Sequence, residues 1–224
     1  MQLDRKVVIE GLCTLNHLDR QRCLFGAVVH RYQLNPPIAA RELDDFEQAL
    51  QVTLPADYRY FLTHIGNGGA GPFAGLFPFG MHDDNADLCR WEDGFLVGDV
   101  KREFPHRTAW NLPDNFWREE PNPPPGTPTD EENRLLERWD QRLNESYWTT
   151  RVVDGSIPIC HRGCALRQWL VITGPEHGRV WNDDRADNRG LYPVLDMNGR
   201  PLSFTDWYLT WLALATFEAE TRKR

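Results

Sequence analysis

Lysine is almost missing from this 224-residue chain, with 3 against 22 arginines. All basic residues together number 25 against 33 acidic ones, a formal net charge of −8. Proteins that hold nucleic acid need a basic face, because phosphate neutralisation supplies much of the affinity. The composition therefore sets nucleic acid aside as a partner. No apolar run approaches the roughly 20 residues of a bilayer-spanning helix, so no membrane partner is expected either. The opening stretch MQLDRKVVIEGLCTLNHLD contains Asp4 and Glu10 and lacks a small-residue cleavage site, so it does not read as a signal peptide. Five cysteines are an odd number for a disulfide framework. Without an export signal, reduced thiols in a cytoplasmic protein are the expectation. No segment repeats. The arginine-rich, lysine-poor balance hints at a high-GC bacterial genome.

What is present argues for one packed interior. Hydrophobic residues make up 41% of the chain and nine are tryptophan, enough for a sizeable core. A single domain over 1–224 is expected. The charge is unevenly placed: residues 81–140 hold 15 acids and 7 bases, whereas 1–80 and 141–224 are nearly balanced. An acidic stretch of this kind suits a basic partner through steering and complementarity, or simply a solvated face that keeps the protein soluble.

Residues 54–79, LPADYRYFLTHIGNGGAGPFAGLFPF, carry the densest signals. Gly66, Gly68 and Gly71 match G-x-G-x-x-G, and Asp87 follows at about the distance expected for a dinucleotide site. That chemistry needs a strand before the glycines and a helix after them. Here the order is reversed. Pro55, Tyr58, Phe61, Leu62 and Ile65 form a helical pattern first, and Pro72 with an apolar run follows. The glycines read as a helix C-cap and turn that launch a strand, and no cofactor is expected.

The remaining elements follow from periodicity. Leu43, Phe46 and Leu50 recur at helical spacing after Pro36-Pro37. Short strands are expected over 75–79 and 94–97. Residues 119–129, EEPNPPPGTPT, hold five prolines and read as an exposed extended loop. Thr129 and Glu132 match a capping box, ahead of an amphipathic helix with Leu136, Trp139, Leu143 and Tyr147 on one face. Strands are expected over 156–161, 167–173, 179–181 and 191–195, with a turn at Gly174-Pro175-x-x-Gly178. A helix over 204–219 closes the chain. Consecutive strands flanked by helices favour α+β with a twisted, mostly antiparallel sheet and helices packed against it.

Chemical motifs are weak. Cys160-His161-x-x-Cys164 has the right ligand types for zinc but lacks a second cysteine pair, and adjacent side chains in an extended segment point to opposite faces. Asp83, Asn85 and Asp87 fit the first calcium-loop positions, but the required glycine is Leu88 and the closing glutamate is Gly94. No metal is expected, and no catalytic residue. Asp183, Asp184, Arg185, Asp187 and Arg189 suit a salt-bridge network or an interface rim, with the structural role favoured. Trp169, Trp181, Trp207 and Trp211 suit the core. Trp91, Trp110 and Trp117, among polar and proline-rich residues, suit partner contact.

Three blocks carry a family resemblance. Leu54-Pro55, Tyr58, Phe61, Gly66-Asn67-Gly68-Gly69-Ala70-Gly71-Pro72 and Gly75-Leu76 form the first. Gly163-Cys164, Trp169-Leu170-Val171, Thr173-Gly174-Pro175, Gly178, Val180-Trp181, Asp184, Arg185 and Asp187 form the second. Phe204, Asp206-Trp207-Tyr208 and Trp211-Leu212 form the third. In this order, over about 40–215, they resemble the SUKH superfamily of bacterial immunity proteins and fungal SMI/KNR cell-wall assembly regulators. The resemblance implies one twisted sheet with packed helices, and a non-enzymatic immunity protein that occludes a co-produced toxin, such as a basic nuclease domain. Asp83, Asp84, Asp87, Glu92 and Asp93 are the expected charged contacts. The alternatives are an intracellular regulatory scaffold, or a hydrolase or metal enzyme using Cys160, His161 and Cys164.

Overall fold

The computed structural model describes residues 3–84, 87–93 and 96–222; the side chains of Asp83, Asp84 and Asp93 lie outside that description. Helix α1 (Arg5–Leu18) starts where the Asp4 carboxylate accepts the Lys6 amide at 2.6 Å, satisfying an otherwise orphaned donor. A short α2 (Ala27–His30) follows, then α3 (Ala40–Leu50), which ends with Gln51 in the left-handed region at φ 56°. Helix α4 (Ala56–Tyr60) begins just after Pro55 and runs on as a π-helical turn to Ile65. Strands β1 (Met81–Asp84) and β2 (Asp87–Arg90) make a two-stranded antiparallel hairpin. After α5 (Asp114–Trp117) and α6 (Thr129–Ser146) come β3 (Ser156–Gly163), β4 (Leu166–Val171), β5 (Val180–Asp183) and β6 (Leu191–Pro193). Helix α7 (Phe204–Arg222) ends the described chain. This is an α+β protein.

Strands β3 to β6 form an antiparallel meander in sequence order. Its central strands are covered on both faces, which explains why Trp169-Leu170-Val171-Ile172 is continuously apolar rather than alternating. Leu170, Ile172 and Val180 join the larger core with Ile157, Ile159 and Cys160, against Leu12 and Leu15 of α1, Phe61 and Leu62 after α4, and Tyr208 and Leu212 of α7. Trp169, Val171 and Trp181 point the other way, into a smaller cluster with Phe104, Val152, Val153 and Leu191. Trp169 and Trp181 face each other across the β4–β5 ladder and are fully buried.

Both edges of the sheet are covered by loop backbone. At the β6 side, Trp110 and Leu191 exchange amide–carbonyl bonds of 2.7 and 2.8 Å. At the β3 side, Leu76 bridges Cys160, Gly69 bridges Leu76, and Leu34 bridges Gly69. Such covering removes the open row of amides and carbonyls that invites edge-to-edge association. The glycine run is therefore sheet edge. The Gly69 and Leu76 amides each donate to the other's carbonyl, at 2.9 and 2.8 Å, and the Ala70 amide donates to Gln33 at 2.7 Å. Gly69 sits at φ +97°, and a Cβ there would lie 2.5 Å from the Gln33 carbonyl oxygen and 2.9 Å from Leu34 Cα. Only glycine fits such a crossing.

Several expectations are corrected. The region 75–79 pairs through one residue only, Leu76, which bridges Gly69 on one side and Cys160 on the other, because Gly75 and the flanking prolines break a longer ladder. Leu96 and Val97 are not in a strand, and Gly94 falls outside the described residues. The segment from His82 to Asp87, which by composition reads as a polar surface loop, instead contributes to a strand pair, Met81–Asp84 with Asp87–Arg90; aspartate-rich sequence hides strand character because its intrinsic preference is against it. Helix α6 begins one residue earlier than the capping-box pattern implies, at Thr129 itself. Pro128 takes the N-cap and no side chain caps the helix, while Asp130, Glu131 and Glu132 in the first turn complement the helix dipole. The proline-rich stretch 119–129 has no strand and no helix until Thr129.

His30 closes α2 with a polar contact in apolar surroundings. Its Nδ1 accepts the Tyr32 amide at 3.1 Å, and its ring meets Trp211 edge-on at 5.9 Å. Burial, reinforced by the nearby Arg22 charge, lowers its pKa from 6.5 to about 4.

Two tests follow from this frame. Gly69→Ala should cost about 2–4 kcal/mol in denaturant unfolding, combining left-handed strain with a backbone clash. Gly126→Ala, at φ +93° but with nothing within 4 Å of the added carbon, should cost only about 1 kcal/mol. Equal losses would contradict a tight crossing at Gly69. For His30, the unfolded chain takes up a proton near pH 6.5, whereas the folded chain resists until about 4. Its contribution is therefore complete above pH 6.5 and is lost as pH falls through that window. Melting temperature should drop between pH 7 and 5, and His30→Gln should remove part of the drop; an unchanged slope would contradict the assignment.

Candidate functional site

Between α3 and the β1–β2 hairpin lies an open cleft of about 710 Å³, lined mainly by apolar side chains. Its floor is an aromatic triad. Phe46 comes from α3, Phe79 from the end of the glycine-rich segment, and Trp91 from the turn after β2. The rings meet edge to face at 4.9 Å (Phe46–Phe79), 5.1 Å (Phe79–Trp91) and 5.9 Å (Phe46–Trp91). Such pairs add about 0.5–1.5 kcal/mol beyond area burial. All three are only partly buried, so the triad is both packed and reachable.

The surrounding chain holds the triad in place. The Trp91 indole donates to the Met81 carbonyl at 2.9 Å, and its amide donates to Gly80 at 3.0 Å, closing the hairpin. The Phe79 amide donates to the Asn67 side chain at 2.7 Å, tying the cleft to the glycine turn. On α3, Arg59 reaches from α4 to Glu47 at 2.7 Å and to Asp44 at 2.5 Å. The rim is acidic. Residues 81–93 include five acids and one arginine. Glu92 and Arg90, both exposed, line the cleft. The hairpin register sets Asp84 directly across from Asp87.

The structure gathers some of the sequence-predicted residues and separates others. Asp87, Trp91 and Glu92 fall on the hairpin and its exit. Asp83, Asp84 and Asp93 belong to the same segment by backbone, although their side chains are outside the described residues. Trp110 and Trp117 lie elsewhere. Trp110 stacks on His106 at 5.0 Å and Tyr147 at 5.6 Å, beside the smaller core cluster. Trp117 meets Tyr147 edge-on at 5.1 Å and donates to the Leu112 carbonyl. Both are half-buried pegs for the segment before α6. Phe46 and Phe79, which complete the cleft, were read from sequence only as helix and strand residues.

The charged cluster of the second block is interior. Asp183 accepts a two-pronged contact from Arg185, Nε at 2.8 Å and Nη2 at 2.7 Å, and also the Trp169 indole at 3.1 Å. Arg185 donates its remaining Nη1 to the Tyr147 carbonyl at the end of α6. Asp184 is held by Arg162 and the Tyr192 hydroxyl, and Arg162 lies 5.2 Å over the Phe73 ring. Asp183, Asp184 and Arg185 are each at most 5% exposed, so none can serve as an interface rim; Asp187 and Arg189 are exposed. Cys160 is buried with its thiol donating to the Pro72 carbonyl at 3.1 Å, while Cys164 is exposed at the β3–β4 turn. Among the described residues, no group of three or more histidine, cysteine or acidic side chains is placed to hold a metal ion. Among them, too, no helix is long and apolar enough to cross a membrane.

The family model described as SMI1 / KNR4 family (SUKH-1) matches residues 37–199. That span takes in the glycine turn, the acidic hairpin and the whole meander, and the chain belongs to this family. No curated protein and no solved structure matches it.

Proposed function

We propose that this SUKH-1 chain is a non-enzymatic, cytoplasmic binding protein that neutralises a bacterial toxin domain by occluding it, and that the aromatic cleft with its acidic rim is the docking site. The observation that carries the reading is the Phe46–Phe79–Trp91 triad, half-exposed at the floor of a cleft walled on one side by the start of the acidic stretch. Exposed aromatic anchors inside a polar rim are the usual make-up of a binding hot spot. Acidic rim charges steer a basic partner and set its association rate more than its final affinity. The glycine turn offers a small molecule little, since its central amides are bonded to protein carbonyls. A basic nuclease-like domain fits the charge; a nucleic acid does not.

The test uses the toxin domain encoded beside this chain's gene. Co-expression should restore growth to cells making that toxin. Trp91→Ala should weaken binding by about 30-fold or more, the loss typical of a hot-spot aromatic, and should also lower the melting temperature because Trp91 packs on Phe46 and Phe79; Trp91→Phe, which keeps most of that packing, should keep the stability and most of the binding. Asp87→Asn with Glu92→Gln should slow association, and that rate should fall steeply as salt rises. Full affinity in Trp91→Ala together with a salt-independent rate would overturn the docking site. A neighbourhood of metabolic genes without a toxin would count against immunity and favour a regulatory scaffold.

A further inference from the structure

The β1–β2 hairpin has a second face with its own chemistry. The register places His82 opposite Cys89, so their side chains share one face, while the neighbouring pair Met81 and Arg90 lies on the other and lines the cleft. The Cys89 sulfur is 3.2 Å from Nε2 of His82. The imidazole is fully buried and therefore fixed in place, whereas Cys89 is only partly buried and remains within reach of a small reagent. A thiol in contact with an imidazole has a built-in proton acceptor, which is what a nucleophilic sulfur requires. Cys160 is differently placed, fully buried with its thiol turned to the Pro72 carbonyl. Cys13, Cys23 and Cys164 are exposed and provide internal comparisons.

We propose that Cys89 is a modification site: a base-assisted thiol that undergoes exchange with low-molecular-weight disulfides. As the sulfur attacks, its proton passes to Nε2 of His82. A new S–S bond forms between Cys89 and the nearer sulfur of the disulfide. The old S–S bond breaks, and the departing thiolate takes the proton back from the imidazole. Nothing else is oxidised or reduced, and excess thiol reverses the step. Because the modified sulfur sits on the body-facing side of the hairpin, the added group pushes between the hairpin and its packing. The proposal stands independently of what docks in the cleft.

The test reads each cysteine of the full chain by peptide mass spectrometry. Iodoacetamide and 2-hydroxyethyl disulfide are used because both are uncharged and are not repelled by the acidic hairpin. The reference for each cysteine is its own rate in the denatured chain. Partial burial alone would make native Cys89 slower than that reference. Base assistance should make it faster, by about tenfold, since an ordinary thiol is only a few per cent thiolate at neutral pH. The mixed disulfide should also appear on Cys89 before Cys13, Cys23 or Cys164. His82→Asn should abolish the excess, and if that substitution loosens the hairpin the rate should approach the denatured value without exceeding it. Native Cys89 reacting no faster than in the denatured chain, or an excess that survives His82→Asn, would overturn the proposal.

Discussion

The backbone crossing at Gly69 is the constraint on which the rest of the molecule depends. Three separate segments meet there within hydrogen-bonding distance: the stretch through Gln33 and Leu34, the glycine turn itself, and the return through Leu76 onto β3. A side chain at Gly69 would occupy the space of the Gln33 carbonyl. The absence of that side chain lets the N-terminal helices reach the edge of the meander. It also sets the position of Asn67, which fixes Phe79, and through Phe79 the floor of the cleft. The scaffold and the candidate site are thus joined by a chain of a few contacts.

A second anchor acts from the opposite side of the sheet. Burying Asp183 against Arg185 costs desolvation that a fork-shaped pair can offset only when its other donors are also satisfied. Here Trp169 and the Tyr147 carbonyl complete the set, so the pair ties β4, β5 and the end of α6 together. Removing one partner would strand the other in an apolar layer. That makes the cluster a device for a unique arrangement of the segment before β3, and places it beyond the reach of any partner. The two covered faces and two covered edges of the meander leave it little surface of its own for recognition. The proposed docking site accordingly lies on what projects from it, the acidic hairpin and its cleft.

Much of this was legible in the sequence. The helix-then-glycine order marked Gly66 to Gly71 as a turn leaving a helix end, and the helical turn does close at Ile65 just before Gly66. The apolar run at Trp169–Ile172 and the turn at Gly174 and Gly178 marked the central hairpin of the sheet. The β1–β2 hairpin was missed because Asp83, Asp84 and Asp87 mask alternation, and a two-stranded ribbon is stabilised by its surroundings rather than by propensity. The aromatic triad was missed because Phe46, Phe79 and Trp91 come from three elements far apart in the chain. The His82–Cys89 contact depends on strand register, which no spacing rule reveals. Conversely, Trp110 and Trp117 stood in polar sequence yet pack on Tyr147, since a tryptophan in a proline-rich segment can still find an interior neighbour.

The central claim is that the chain works through the outer face of its hairpin and the cleft beneath it, while the glycine turn is structural. Hydrogen exchange of the chain with and without the toxin domain proposed as its partner tests this most directly. The account predicts new protection at backbone amides in 79–84 and 87–92, with the amides of Gly69, Ala70 and Leu76 already slow in the free chain and unchanged on binding. Fast exchange at Gly69 and Ala70 in the free chain, or protection gained there and not along the hairpin, would contradict it.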